Sequence, residues 1–137
     1  MKIKLDKGAL LPRREHATDA GFDLFTPRRI VLPPRGSVTV DTGVHIQLPA
    51  GKCAVVISKS GLLTKFDISS TGLIDEAYTG SIRVHLQNHT GQQYVFERGE
   101  KISQFYITDY YGEDLELVEE LEETERGDGG FGSTGRT

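Results

Sequence analysis

Cysteine is almost absent. Cys53 is the only thiol in 137 residues, which excludes a disulfide framework and a thiolate metal cage. Its setting in "CAVVI" suits a buried strand residue better than a nucleophile. No apolar run approaches the length of a membrane span, and the opening "MKIKLDKGAL" lacks the apolar core of a signal peptide. A soluble, intracellular protein of the cytoplasm is therefore expected. The histidines His16, His45, His85 and His89 show no metal-ligand spacing and receive no assignment.

What is present describes one compact domain. Hydrophobic residues make up 36% and charged residues 26% of the chain, a globular balance, and 16 glycines imply many turns. The net charge of −4 conceals an asymmetry, because residues 1–65 carry 11 Lys or Arg against 5 Asp or Glu. The acidic remainder argues against nucleic acid as a partner. Its densest stretch, "GEDLELVEELEETERGD", reads as a solvated edge strand running into a charged linker.

Short alternating runs dominate: "KIKL", "RIVL", "SVTVD", "VHIQL", "CAVVIS", "SIRVHLQ", "QYVF", "KISQFYI" and "LELVEEL" each predict a strand. Turn chemistry separates them, as in Pro33-Pro34-Arg35-Gly36 and Leu48-Pro49-Ala50-Gly51. Only "SGLLTKF" predicts a helix, a brief one with Ser60 as its cap. The expected fold is all-β, a jelly-roll-like barrel over residues 1–121, followed by an acidic linker and glycine-rich lid over 122–137.

The end of the chain, "RGDGGFGSTG", contains a G-x-G-x-x-G at Gly127, Gly129 and Gly132. A dinucleotide fingerprint needs a following helix, and too little chain remains. A Walker loop needs a Lys after the last glycine, and Ser133 stands there. A flexible tail is the plain reading of this stretch.

Taken in order, "DAGFDLF", "SKSGLL", "GLIDEAYTG", "ERGEKISQF" and "RGDGGFGSTG" resemble the ordered motifs of the trimeric dUTP pyrophosphatases, the dUTPases. The resemblance runs from Asp19 to Gly135. It implies a dUTPase-like β-clip barrel that hydrolyses dUTP to dUMP and pyrophosphate with Mg²⁺, as a homotrimer whose sites lie at subunit boundaries. Asp75 takes the place of the general base that deprotonates the attacking water. Tyr78 takes the place of the ring beneath the deoxyribose, which leaves no room for a 2′-hydroxyl. Gly72, Leu73, Ile74 and Arg83 correspond to the uracil-reading hairpin, with Ser69 at its border.

Lys59, Ser60, Gly61 and Gln104 correspond to phosphate contacts, and Asp23 to the carboxylate that meets Mg²⁺ through water. In the tail the resemblance implies that Arg126 reaches the terminal phosphate, Gly132, Ser133 and Thr134 cradle phosphate oxygens, and Phe131 stacks on uracil. A mobile terminus suits such a lid. The chain departs from the pattern at Lys59 and Lys101, where Arg is usual, and at Ser58, where Pro is usual. Charge is kept while the bidentate fork is lost; Lys101 is assigned a structural part. Two other readings stay open, a dCTP deaminase-like enzyme and a non-catalytic nucleotide-binding regulator on the same scaffold.

Overall fold

Alternation in the sequence becomes alternation in space. In the strand Arg83–Asn88 the residues Val84, Leu86 and Asn88 are buried while Arg83, His85 and Gln87 face outward, the period of two that a pleated strand imposes. The computed structural model describes residues 1–137. It contains ten strands: β1 (Lys2–Leu5), β2 (Phe22–Phe25), β3 (Ile30–Leu32), β4 (Ser37–Asp41), β5 (Val44–Gln47), β6 (Lys52–Ile57), β7 (Ile68–Ile74), β8 (Arg83–Asn88), β9 (Tyr94–Phe96) and β10 (Lys101–Asp109). A single helix, α1 (Ser60–Phe66), joins β6 to β7.

The main sheet runs β2-β10-β6-β7-β8-β4, all antiparallel, and two small ladders, β1-β5 and β3-β9, complete the curled architecture. The all-β, jelly-roll-like expectation holds. A continuous core of 17 buried apolar residues, including Leu24, Val56, Leu86 and Phe105, fills the interior. A register shift between Lys101 and Ser103 of β10 lets the consecutive residues Ile102 and Ser103 both lie inside, the effect of a bulge.

Two local expectations are corrected. Lys59, not Ser60, is the N-cap of α1, and no side-chain cap bond forms there; Ser60 already has helical backbone, so its hydroxyl does not reach back to cap. The run "LELVEEL" is not a strand: regular structure ends at Asp109. A strand exists only through the ladder of a partner, and no strand of the same chain pairs with this arm. Leu115, Leu117 and Leu121 are consequently 93%, 99% and 87% exposed.

A buried hydroxyl relay ties the centre of the sheet together. The Ser103 hydroxyl donates to the Ile57 carbonyl at 2.9 Å and lies 2.7 Å from the Ser70 hydroxyl, linking β10, β6 and β7. Ser103→Ala would strand the Ser70 hydroxyl in the interior. It is expected to lower stability by about 1 to 3 kcal/mol, measured by urea unfolding; an unchanged midpoint would show that the relay carries no weight.

Candidate active site

A charged cluster is built where β2, β10 and the end of β6 meet. Register places Asp23 beside Gln104, and Gln104 beside Ile57, so the chain leaving β6 through Ser58 and Lys59 passes directly over Asp23. Asp23 is 4% exposed. Its Oδ1 is 2.5 Å from Lys59 Nζ and its Oδ2 is 3.0 Å from Lys101 Nζ. Lys101 also reaches Glu15 at 3.1 Å.

Burial pushes the Asp23 carboxyl up, but the hydrogen-bonded ammoniums of Lys59 and Lys101 outweigh it and hold the group below the usual carboxylate range. The same contacts act on their partners: Asp23 and Glu15 raise Lys101, and Lys101 lowers Glu15. Beside the cluster Gln104 donates to the Ser58 carbonyl at 3.1 Å, and the Ser58 hydroxyl accepts from Ser70 N–H and donates to the Ser70 carbonyl. Ser58 thus fastens the Lys59–Gly61 segment to β7. A side chain at Gly61 would meet nothing of this chain.

A second group of candidates lies at the opposite end of β6. The β7–β8 ladder stops at Ser70↔Leu86, and beyond it Gly72, Leu73 and Ile74 pair only with β6. The two strands part instead of closing as a tight hairpin. In the gap Leu73 is 67% exposed, and a Cβ at Gly72 would make only ordinary contact with Val56. Asp75 follows directly and lines a cavity of about 400 Å³ with Cys53, Leu73, Glu76, Ala77 and Tyr110.

The loop after Asp75 turns sharply. The Tyr78 N–H donates to the Asp75 carbonyl at 3.0 Å and the Tyr78 hydroxyl to the Ser81 carbonyl at 2.8 Å. The ring presses so closely on Gly80 that any Cβ there would collide with it. Arg83 leads into β8 with its guanidinium 3.9 Å from Asp41. Ser69 lies lower on β7, its hydroxyl 2.7 Å from His89 Nε2.

The tail forms a third group by itself. Arg126 Nε donates to the Gly129 carbonyl at 2.7 Å, and Arg126, Gly129, Gly130, Phe131, Gly132, Ser133 and Thr134 line a concavity of about 570 Å³. Phe131 is fully exposed at φ 51°. A chain of glycines and an unburied ring can approach a planar base and a phosphate with little rearrangement of packed structure.

The fold therefore gathers Asp23, Lys59 and Gln104 in one place and Gly72, Leu73, Ile74, Asp75, Tyr78 and Arg83 in another. It does not bring the two together within one chain. From Ile57 to Cys53 is four residues of β6, roughly 13 Å of strand rise. Glu15 is the participant that sequence reasoning missed. Spacing could not reveal it, because its partner Lys101 lies 86 residues away.

The residues suit Mg²⁺ through water and not through direct ligation. No group of three or more His, Cys, Asp or Glu is gathered in the chain, and each Asp23 oxygen already faces an ammonium. The carboxylate's remaining lone pairs can still accept from a metal-bound water.

Comparison with known proteins places this geometry in a family. The dUTPase family model matches residues 7–135. The chain is 41% identical over 137 residues to a deoxyuridine 5′-triphosphate nucleotidohydrolase of Gloeothece citriformis, covering 98% of this chain and 94% of that one. Among solved structures, the Staphylococcus bacteriophage 80alpha dUTPase with dUPNHPP superposes with a TM-score of 0.91 at 31% identity, covering 98% of both chains. A mutant dUTPase from phage phi11 of S. aureus, described for its coordination of a structural Mg(II) ion, gives a TM-score of 0.80 at 26% identity over 88% of this chain and 97% of that one.

The charged cluster makes stability depend on acid. Because the folded-state pKa of Asp23 lies below its unfolded value, its contribution is present at neutral pH and is lost as pH falls through the folded pKa. Asp23→Asn should cost about 1 to 3 kcal/mol at neutral pH, and the gap to wild type should close as pH drops toward about 2. Denaturant unfolding across this range measures it; a gap independent of pH would remove Asp23 from the charge balance.

Proposed function

The chain belongs to the dUTPase family, and from that membership we propose the roles of its residues in the Mg²⁺-dependent hydrolysis of dUTP to dUMP and pyrophosphate. The observation that carries the reading is the parting of β7 from β8 beside Asp75 and Tyr78. It leaves the backbone edge of Gly72, Leu73 and Ile74 without a strand partner on that side. A uracil can complete such an edge with its own alternating donors and acceptors. Arg83 and Ser69 flank the slot. The ring of Tyr78 forms a floor under the sugar that a 2′-hydroxyl would strike.

Chemistry follows from placing the α-phosphate next to Asp75. The carboxylate takes a proton from a water that attacks the α-phosphorus, and the bond to the bridging oxygen of the β-phosphate breaks as pyrophosphate leaves. Asp23 would hold Mg²⁺ through water, and the ion would supply charge neutralisation at the triphosphate. Lys59, the N–H groups of Ser60 and Gly61, and Gln104 orient the phosphates. Residues 122–137 act as the lid: Arg126 meets the terminal phosphate, Gly132, Ser133 and Thr134 cradle its neighbours, and Phe131 covers the base.

Separation of the two groups supports a site assembled from several copies, as a homotrimer. So does the arm, whose bare Leu115, Leu117 and Leu121 suit burial on a neighbouring chain. No helix is long and apolar enough to cross a membrane, and we assign the enzyme to the cytoplasm. The deaminase-like and non-catalytic alternatives find no support among the relatives.

Asp75→Asn keeps the shape of the side chain but cannot accept the proton. It is expected to abolish turnover while dUTP binding stays within about tenfold; substantial remaining hydrolysis would take the base role from Asp75.

Sharing of tails between chains has its own test. Asp75→Asn and a variant lacking residues 126–137 should each be nearly inactive. Unfolded together in equal amounts and refolded, they should regain activity at about a quarter of sites if each tail serves another chain. Mixed trimers as inactive as their parents would show that each site uses its own tail.

A further inference from the structure

We propose that His45, as an imidazolium, is a positioning residue for deoxynucleotide recognition: from β5 it clamps the Tyr78 loop to Asp6, just past the N-terminal strand, and dUTP binding weakens when the ring loses its proton. The inference rests on the dUTPase reading of that loop.

The geometry is specific. His45 lies on β5 opposite Lys4 of β1. Its Nδ1 is 2.9 Å from the Thr79 carbonyl oxygen, and its Nε2 is 3.1 Å from Asp6 Oδ2. A carbonyl oxygen and an ionised carboxylate are acceptors only, so each ring nitrogen must carry a proton for both contacts to exist. A neutral ring has one N–H. Its loss of a proton turns one nitrogen lone pair against an oxygen and releases one contact.

Thr79 is the residue after Tyr78, which makes the contact consequential. Three side-chain tethers hold the loop to the body. Glu76 accepts from the Gly51 N–H and the Tyr110 hydroxyl at one end, and the Ser81 hydroxyl donates to Asp41 at the other. His45 holds the middle. Of the three, only the central tether is made by an imidazole, the side chain whose ordinary titration lies near neutrality.

Charges around the ring favour the protonated state. The Thr79 carbonyl and Asp6 raise its pKa above 6.5; burial and Lys4 of β1 oppose them. Asp41, at the end of β4, also interacts with it electrostatically, and Lys2 lines the same groove. Since the folded-state value is raised, the clamp is complete below the ordinary histidine range and is lost as pH rises through the folded pKa. Asp75 stands outside the clamped segment, adjoining Ile74, which the β6 ladder fixes. Binding should therefore respond more than the chemical step.

The test measures kcat and KM for dUTP from about pH 6 to about pH 9 in wild type, His45→Gln and Asp6→Asn. His45 ring-proton and Thr79 and Gly80 amide NMR titrations of the wild type accompany it. Wild-type KM should rise by up to about tenfold, the size of one charge-assisted hydrogen bond, with the midpoint of the ring titration and with little change in kcat. Asp6→Asn should move both midpoints to lower pH. His45→Gln should start with the higher KM and lack the step. Ionisations of the nucleotide are common to all three proteins and cancel in the comparison. A step that survives in His45→Gln, or loop amides that ignore the ring, would overturn the inference. If the wild type turns over no dUTP at any pH, the dUTPase reading fails, and the amide titration alone then decides whether the clamp exists.

Discussion

A carboxylate that is almost wholly withdrawn from water must be paired or it becomes a severe cost to folding. Asp23 meets that demand with two ammoniums from different parts of the chain, and the end of the sheet where β2, β10 and β6 meet is organised by the result. Lys59 is drawn down from the loop after β6, and Lys101 is held across β2. The backbone between them is then pinned by Gln104 on the Ser58 carbonyl and by Ser58 on Ser70. The two ammoniums are thereby fixed in place before any ligand arrives, and an array of fixed charges needs little rearrangement when one binds. Lysine in both positions gives point charges without a planar fork, so on the proposed function orientation of the phosphates falls more heavily on backbone N–H groups and Gln104.

The remainder of the site follows a different logic. Around Asp75 and Tyr78 the sheet is opened: a ladder ends early, a loop folds back on itself, and a strand edge is left without a partner from the chain. In the tail even less is fixed. Arg126 bonds to its own turn, and Phe131 is buried against nothing. Fewer contacts thus hold the chain on passing from the charged cluster, through the parted strands, to the tail. That order suits a ligand that is anchored by charge, identified by shape and enclosed last.

Legibility in the sequence tracked locality. Alternation in "SIRVHLQ" and "KISQFYI" announced β8 and β10 because strand burial has a period of two residues, and "SGLLTKF" coincided with α1. The same rule misread "LELVEEL", since alternation states what a segment could pair and not whether a partner is within reach. The ordered motifs pointed to Asp23, Lys59, Asp75 and the tail by resemblance, but nothing in their spacing could reveal that β7 changes partner between Ser70 and Gly72. Lys101 was assigned a structural part; the fold adds that its ammonium completes the Asp23 pair. His45 carried no signal at all. Its two partners lie 34 and 39 residues away, and only the closed sheet sets them on either side of one ring.

Gly61 and Gly72 are among the glycines that the fold leaves free to carry a side chain. Neither has a backbone angle reserved for glycine, and a methyl group on either would meet only open space or an ordinary van der Waals neighbour. The folded chain does not need these positions bare. Alanine at either would leave the packing undisturbed, and at Gly61, inside α1, it would favour folding by removing glycine's extra unfolded-state freedom, so thermal melts, proteolysis and selection for soluble expression would raise no objection to it. A variant library filtered on folding would accept such changes freely and accumulate well-folded proteins with a narrowed surface at both positions. On the proposed function, the cost would surface only when nucleotide was offered.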